Sequence, residues 1–139
     1  MNTIIPAANI SGSALQAERT RLEVVAQNIA NMHTTKGADG KVYRRKLVSF
    51  ESVMQNNGTK PGTAVRVARV AEDKKPLVRA YMPGHPHADA DGMVTMPNVN
   101  LVEEMADMLT ASRSYEANLQ VLKSAKQMVN GSMEIGAVQ

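Results

Sequence analysis

A chain of 139 residues with a formal charge of +3 and no cysteine excludes disulfides and thiolate metal sites, and its scattered charge makes no basic footprint for nucleic acid. Tyr43, Phe50, Tyr81 and Tyr115 are its only aromatic residues against ten methionines, which favours thin helix-on-helix seams over a thick globular centre. No apolar run approaches the roughly 20 residues that span a bilayer, and Met1 to Ile10 lacks a basic start followed by an apolar block, so neither membrane insertion nor a cleaved secretory signal is expected.

Residues 1 to about 10, with Pro6 and small side chains, read as an arm that orders only with a partner. Ser11 or Ser13 can then cap a helix that continues to about Asn31, where Asn28, Asn31, Met32 and His33 mark its end. On it Ala8, Leu15, Leu22 and Ile29 lie seven apart, with Val25 and Met32 offset by three, while Glu18 interrupts the seam. A seven-residue apolar repeat asks for a partner helix.

From Thr34 to Pro97 the helical period disappears. Lys41 to Phe50, Thr63 to Val70 and Leu77 to Tyr81 alternate as strands, with Asn56, Asn57, Gly58 and Lys60, Pro61, Gly62 turning the chain between the first two. The expected result is a small twisted sheet or a few hairpins, marginal by themselves.

The helical pattern restarts after Asn98 or Asn100, and Asn100 with Glu103 has the spacing of a capping box. Glu103 and Glu104 early and Lys123 and Lys126 late both suit the helix dipole. One stripe runs Leu101, Met108, Tyr115, Leu122, Val129, and a second runs Met105, Ser112, Leu119, Lys126, Met133. A further apolar set, Val102, Leu109, Ala125, Met128 and Ile135, gives the same helix a second seam. At roughly 45 Å or more, against roughly 30 Å for the first helix, its seam is too long for that helix to cover. The remainder needs a surface from outside the chain.

Three constellations bear on chemistry. His85, His87, Asp89 and Asp91 gather metal-ligand types, yet in calcium-loop register Asn98 falls where a bidentate Glu is required, so a polar turn is the expected reading. Arg44, Arg45 and Lys46 form a basic run that would alternate faces in a strand and is assigned to solvent or to a partner's carboxylates. No nucleophile, base and orienting acid share a recognisable spacing, and His33 is read as capping or solvated. An enzyme, a cofactor site and a nucleic-acid module are therefore not expected. A metal-dependent enzyme at His85 to Asp91 and a self-contained helical dimer serving as a soluble adaptor are the competing classes.

Ser11, Gly12, Ser13, Ala17, Arg19, Arg21 and Leu22, then Asn28, Ile29, Ala30, Asn31, Thr34 and Thr35, resemble the N-terminal signature of bacterial flagellar rod and hook proteins. Tyr43 to Lys46 with Phe50, Pro83 to Pro86, Ala88, Asp89, Asp91, Gly92 and Met96 to Asn100 are similar to rod members of that family. So are Glu103, Glu104, Met105, Asp107, Met108, Ala111, Arg113 and Tyr115 to Asn118. Met32 and His33 depart from the family pattern, and residues 54 to 75 follow no motif of it.

The resemblance implies a structural subunit of the basal-body proximal rod, part of a hollow shaft that transmits torque, exported through the flagellar type III apparatus without signal cleavage and residing in the periplasmic space. Its implied neighbours are copies of itself, other proximal and distal rod proteins and the membrane-ring junction protein. The expected fold is α+β, with N- and C-terminal helices forming a coiled-coil-like helical domain. An N-terminal arm and helix (1–35) and a long C-terminal helix (98–139) flank a small, irregular, outward-facing β-rich segment (36–97). The expected assembly interface comprises Leu15, Leu22, Val25 and Ile29 on the first helix. On the second it comprises Leu101, Met105, Met108, Tyr115, Leu119, Leu122 and Val129.

Overall fold

The computed structural model describes residues 4–56 and 61–136, without the side chains at 4–7, 55, 56, 61, 62, 135 and 136. Asn57, Gly58 and Lys60 of the expected turn, and the side chain of Ile135, lie outside the described residues. The fold is α+β: a helix, two antiparallel hairpins and a second helix, in that order.

Helix α1 spans Ile4–Ala30, so it begins within the segment read as an arm. Pro6 does not prevent this, because in the first turn its missing N–H would have no intrahelical partner in any case. Ser13 is no cap; its hydroxyl donates to the Ile10 carbonyl at 2.7 Å and accepts from the Val65 amide at 3.2 Å. The helix ends where Asn31 and Met32 turn back onto Gln27 and Ile29, and Thr34 closes onto Asn31.

Strand β1 (Lys46–Asn56) pairs antiparallel with β2 (Pro61–Glu72), from Lys46 opposite Glu72 to Asn56 opposite Pro61. A bulge between Ser49 and Phe50 leaves Ala68 without an opposite residue. The first strand was expected from Lys41, but Tyr43, Arg44 and Arg45 stay outside it because their side chains and backbone are engaged elsewhere. Strand β3 (Val78–Tyr81) pairs with β4 (Met93–Met96), which the turn-rich sequence on its N-terminal side had hidden.

Helix α2 spans Leu101–Gly136. Asn100 is its cap, its side-chain oxygen accepting from the Val102 amide at 2.9 Å. Asn28 meets Glu104, and Arg21, two turns earlier on α1, meets Asp107, so the helices run antiparallel. On α2 the least exposed positions are Glu104, Ala111 and Ala125, flanked by half-buried Met108, Tyr115, Asn118, Leu122 and Val129. These recur at alternating steps of four and three, the period of a helix seam. Its small-residue edge allows close approach of α1, where Val24 and Val25 are buried.

The β1–β2 hairpin lies along a neighbouring stripe of α1, where Ser13, Gln16, Ala17 and Thr20 face Val65, Arg66 and Val67. The buried apolar set is thin and mostly small: Ala17, Val24, Val25, Ala64, Val94, Ala111 and Ala125. Helix α2 is 36 residues long against 27 for α1, a difference of about 14 Å of helix at 1.5 Å per residue.

Candidate functional site

Where the end of α1, the root of β1 and the start of α2 converge, a polar cluster is buried. Glu104 is 0% exposed and Asn28 1% exposed. The Asn28 amide nitrogen donates to the Lys46 carbonyl at 2.9 Å and to Glu104 Oε2 at 3.0 Å. Its oxygen accepts from the Lys46 amide and the Tyr43 hydroxyl, both at 2.9 Å. All four hydrogen-bonding positions of this amide are used, as burial requires.

Arg45 enters the same cluster from outside the strand. Its Nε donates to the other Glu104 oxygen, Nη2 donates to Asp107 at 3.1 Å, and Nη1 lies 3.7 Å from Asp73 and 3.9 Å from Glu103. Burial pulls the Arg45 pKa down, but the hydrogen bond and charge of Glu104, with Asp107 and Glu103, raise it further than burial lowers it. Its backbone is held too: the amide donates to Asn98 Oδ1 at 2.8 Å, and the carbonyl accepts from the Asp73 amide at 2.7 Å. Asn98, expected as a helix cap, instead ties β1's root to the Lys75 carbonyl at 3.0 Å. Burial raises the pKa of Tyr43, and the carboxylates of Glu104 and Glu72 add to it. The cluster thus clamps four separate stretches of chain with charge-assisted bonds.

A second feature is apolar and open. Near the start of α2, Leu101, Val102, Met105 and Leu109 are exposed; further along, Val121, Met128 and Met133 are exposed, Met128 at 56%. Asp89 is occupied as a turn organiser, accepting from the amides of Met93 at 2.9 Å and Asp91 at 3.0 Å and from Arg79. Those contacts, the Met93 amide foremost, hold its pKa below the usual value against a smaller opposing effect of desolvation. His85 accepts from the His87 amide at 3.1 Å, and the His87 ring meets Thr35 at 2.8 Å. Among the described residues, no three His, Asp or Glu side chains come together as a metal site.

The expected interface residues divide by place. Val25 is buried; Leu15, Leu22, Ile29, Met108, Tyr115, Leu119, Leu122 and Val129 are half-buried; Leu101 and Met105 face solvent. Of the second stripe, Met105, Lys126 and Met133 are exposed, and the closest packing belongs instead to Glu104, Ala111 and Ala125. The clamp residues Asn28, Arg45, Asp73, Asn98 and Glu104 were not in the expected set. Asn28, Arg45, Asn98 and Glu104 stood among the residues that carry the family resemblance, and Glu104, seven before Ala111, is a polar residue in phase with a seam. Arg45, assigned to solvent or a partner, finds its carboxylates within its own chain, and Arg44 donates to the Asp73 and Lys75 carbonyls.

Comparison with known proteins decides the family. A family profile described as "Flagella basal body rod protein" matches residues 8–38, and one described as "Flagellar basal body rod FlgEFG protein C-terminal" matches residues 90–133. The flagellar basal-body rod protein FlgC of Agrobacterium fabrum is 42% identical over 97% of this chain and 96% of its own length. The chain belongs to the FlgC family of flagellar basal-body rod proteins. The FlgC proteins of Salmonella typhimurium (44% identical, 92% of this chain, 94% of theirs) and Bacillus subtilis (38%, 96% and 99%) agree. As a FlgC-family member it is a structural rod protein and not an enzyme. The matched segments contain most of α1 and most of α2, the two helices that meet at the clamp. No helix among the described residues is long and apolar enough to cross a membrane.

Proposed function

We propose that this chain is one stave of a hollow, torque-transmitting proximal rod, joined to its neighbours through the apolar flanks of α2 that its own α1 leaves open. The observation that carries the reading is the exposure of Val102, Met105, Leu109, Val121 and Met128 on one long helix of a rod-family protein. Such apolar area is stabilised by burial at about 25 cal/mol per Å², and heterologous helix contacts repeated head to tail give open helical filaments instead of closed oligomers. In this reading Leu15, Leu22, Val25, Ile29, Met108, Tyr115, Leu122 and Val129 hold the stave together. Leu101, Met105 and Leu119 reach neighbours.

The neighbours are copies of this chain, other proximal and distal rod proteins and the membrane-ring junction protein. The chain reaches the periplasmic space through the type III export apparatus without signal cleavage. Residues 1–35 and 98–139 form the helical wall, and 36–97, hairpins included, face outwards. Replacing Met128 or Val121 by Asp tests this: rods fail to assemble and cells lose motility, while the purified variant keeps wild-type helix content. Normal motility with either variant would sink the proposal.

A further inference from the structure

We infer that the Asn28–Arg45–Glu104 clamp is the register key of the helix pair: it fixes which turn of α2 lies against which turn of α1, a choice the apolar seam leaves open. The seam residues of α2 repeat with a period of seven, as Met108, Tyr115, Leu122, Val129 on one edge and Ala111, Asn118, Ala125 on the other. Leu15, Leu22 and Ile29 repeat likewise on α1. Sliding α2 by seven residues, about 10 Å along its axis, again sets large beside large and small beside small. Apolar packing alone therefore distinguishes neighbouring registers weakly.

Polar atoms distinguish them strongly. In the observed register, Glu104 at 0% exposure has Asn28 on one oxygen and Arg45 on the other. Asn28 uses its remaining positions on Tyr43 and Lys46. A seven-residue slide carries Glu104 either opposite Arg21, out of reach of Asn28, or past the end of α1 at Ala30. Asn28 would then face Pro97 in the first case, where Glu104 meets the Arg21 guanidinium in place of Arg45, or Ala111 in the second, and neither Pro97 nor Ala111 has a side-chain partner to offer it. A buried amide left unpaired, joined in the second register by a carboxylate without its cation, is penalised far more than a paired cluster is rewarded. Buried polar residues that select one helix register are the best-attested use of such groups. Arg45 and Asn98 anchor the key to the hairpin root, so fixing the helix register also fixes where the β1–β2 hairpin lies along α1.

The test uses the full chain, whose lack of cysteine allows two clean labelling sites. Ala26→Cys and Glu116→Cys, both at exposed positions, take spin labels whose separation is measured by pulsed electron resonance. With the native key one narrow distance is expected. With Asn28→Leu, Arg45→Met and Glu104→Leu together, helix content is retained and at least two resolved distances appear, the minor one above a tenth of the molecules. A single native distance in that folded variant overturns the inference. Should the triple variant lose its helices, Glu104→Ala places at this position the residue that already stands at 111 and 125. Two distances there support the key, and one native distance overturns it.

Discussion

At its start α2 buries Glu104 completely among Asn28 and Arg45, whereas further along it presents Val121, Met128 and Met133 to solvent. The same helix thus joins a charged, fully satisfied clamp to apolar side chains that the described residues leave exposed. The pairing of the first end is specific because every polar atom demands a particular partner. The second end can accept a range of apolar surfaces, and methionine adapts to several. The clamp defines the subunit; the exposed apolar positions, Leu101, Val102, Met105 and Leu109 beside the clamp included, are available to define the assembly.

The largest way to break this contrast is at the clamp. Arg45→Ala leaves Glu104 buried without its cation, and the loss on breaking a buried pair by removing one partner is about 3–5 kcal/mol; urea denaturation of the purified chain measures it. Ala111 is 0% exposed in the seam, and Ala111→Leu would overpack it at a cost of about 1–3 kcal/mol, read as a lower melting temperature with helix content unchanged at low temperature. A smaller effect sharpens the electrostatics. Tyr43 has its pKa raised from 10.0, first by burial and then by Glu104 and Glu72. The folded chain therefore binds that proton more tightly than the unfolded one, and stability present below pH 10 falls as pH rises through the raised value. A denaturation series above pH 10 should show this decline in the wild type and a shallower one in Tyr43→Phe. At the far end, Met128→Asp should alter monomer stability by less than about 0.5 kcal/mol.

Much of this was legible in the sequence. The two candidate capping asparagines and the acidic first turn located the start of α2 to within two residues, because a helix start is encoded within four positions. The Leu101-to-Val129 stripe follows from a period. What was not legible depends on partners far apart in the chain. Arg45 and Glu104 are separated by 59 positions, and a charged residue on a seam reads as a defect until its counter-ion is seen. The companion edge of the seam was assigned to Met105 and Leu119, since large apolar residues advertise burial. Yet the position of closest helix approach selects the small Ala111 and Ala125. Strand β4 escaped notice for a local reason: its four residues follow the turn from His85 to Gly92, and so short a run carries little alternation.

The central claim is that the uncovered flank of α2 joins neighbouring subunits. Site-directed crosslinking tests it most directly: Met128→Cys in cells that otherwise depend on this chain, treated with a short thiol-to-amine crosslinker and followed by isolation of basal bodies. The account predicts covalent adducts between this chain and a copy of itself or another rod protein, formed in assembled basal bodies and absent from the dilute monomer. Assembled, functional basal bodies in which Cys-labelled position 128 stays free to react with solvent thiol reagents, and yields no intersubunit adduct, would contradict it.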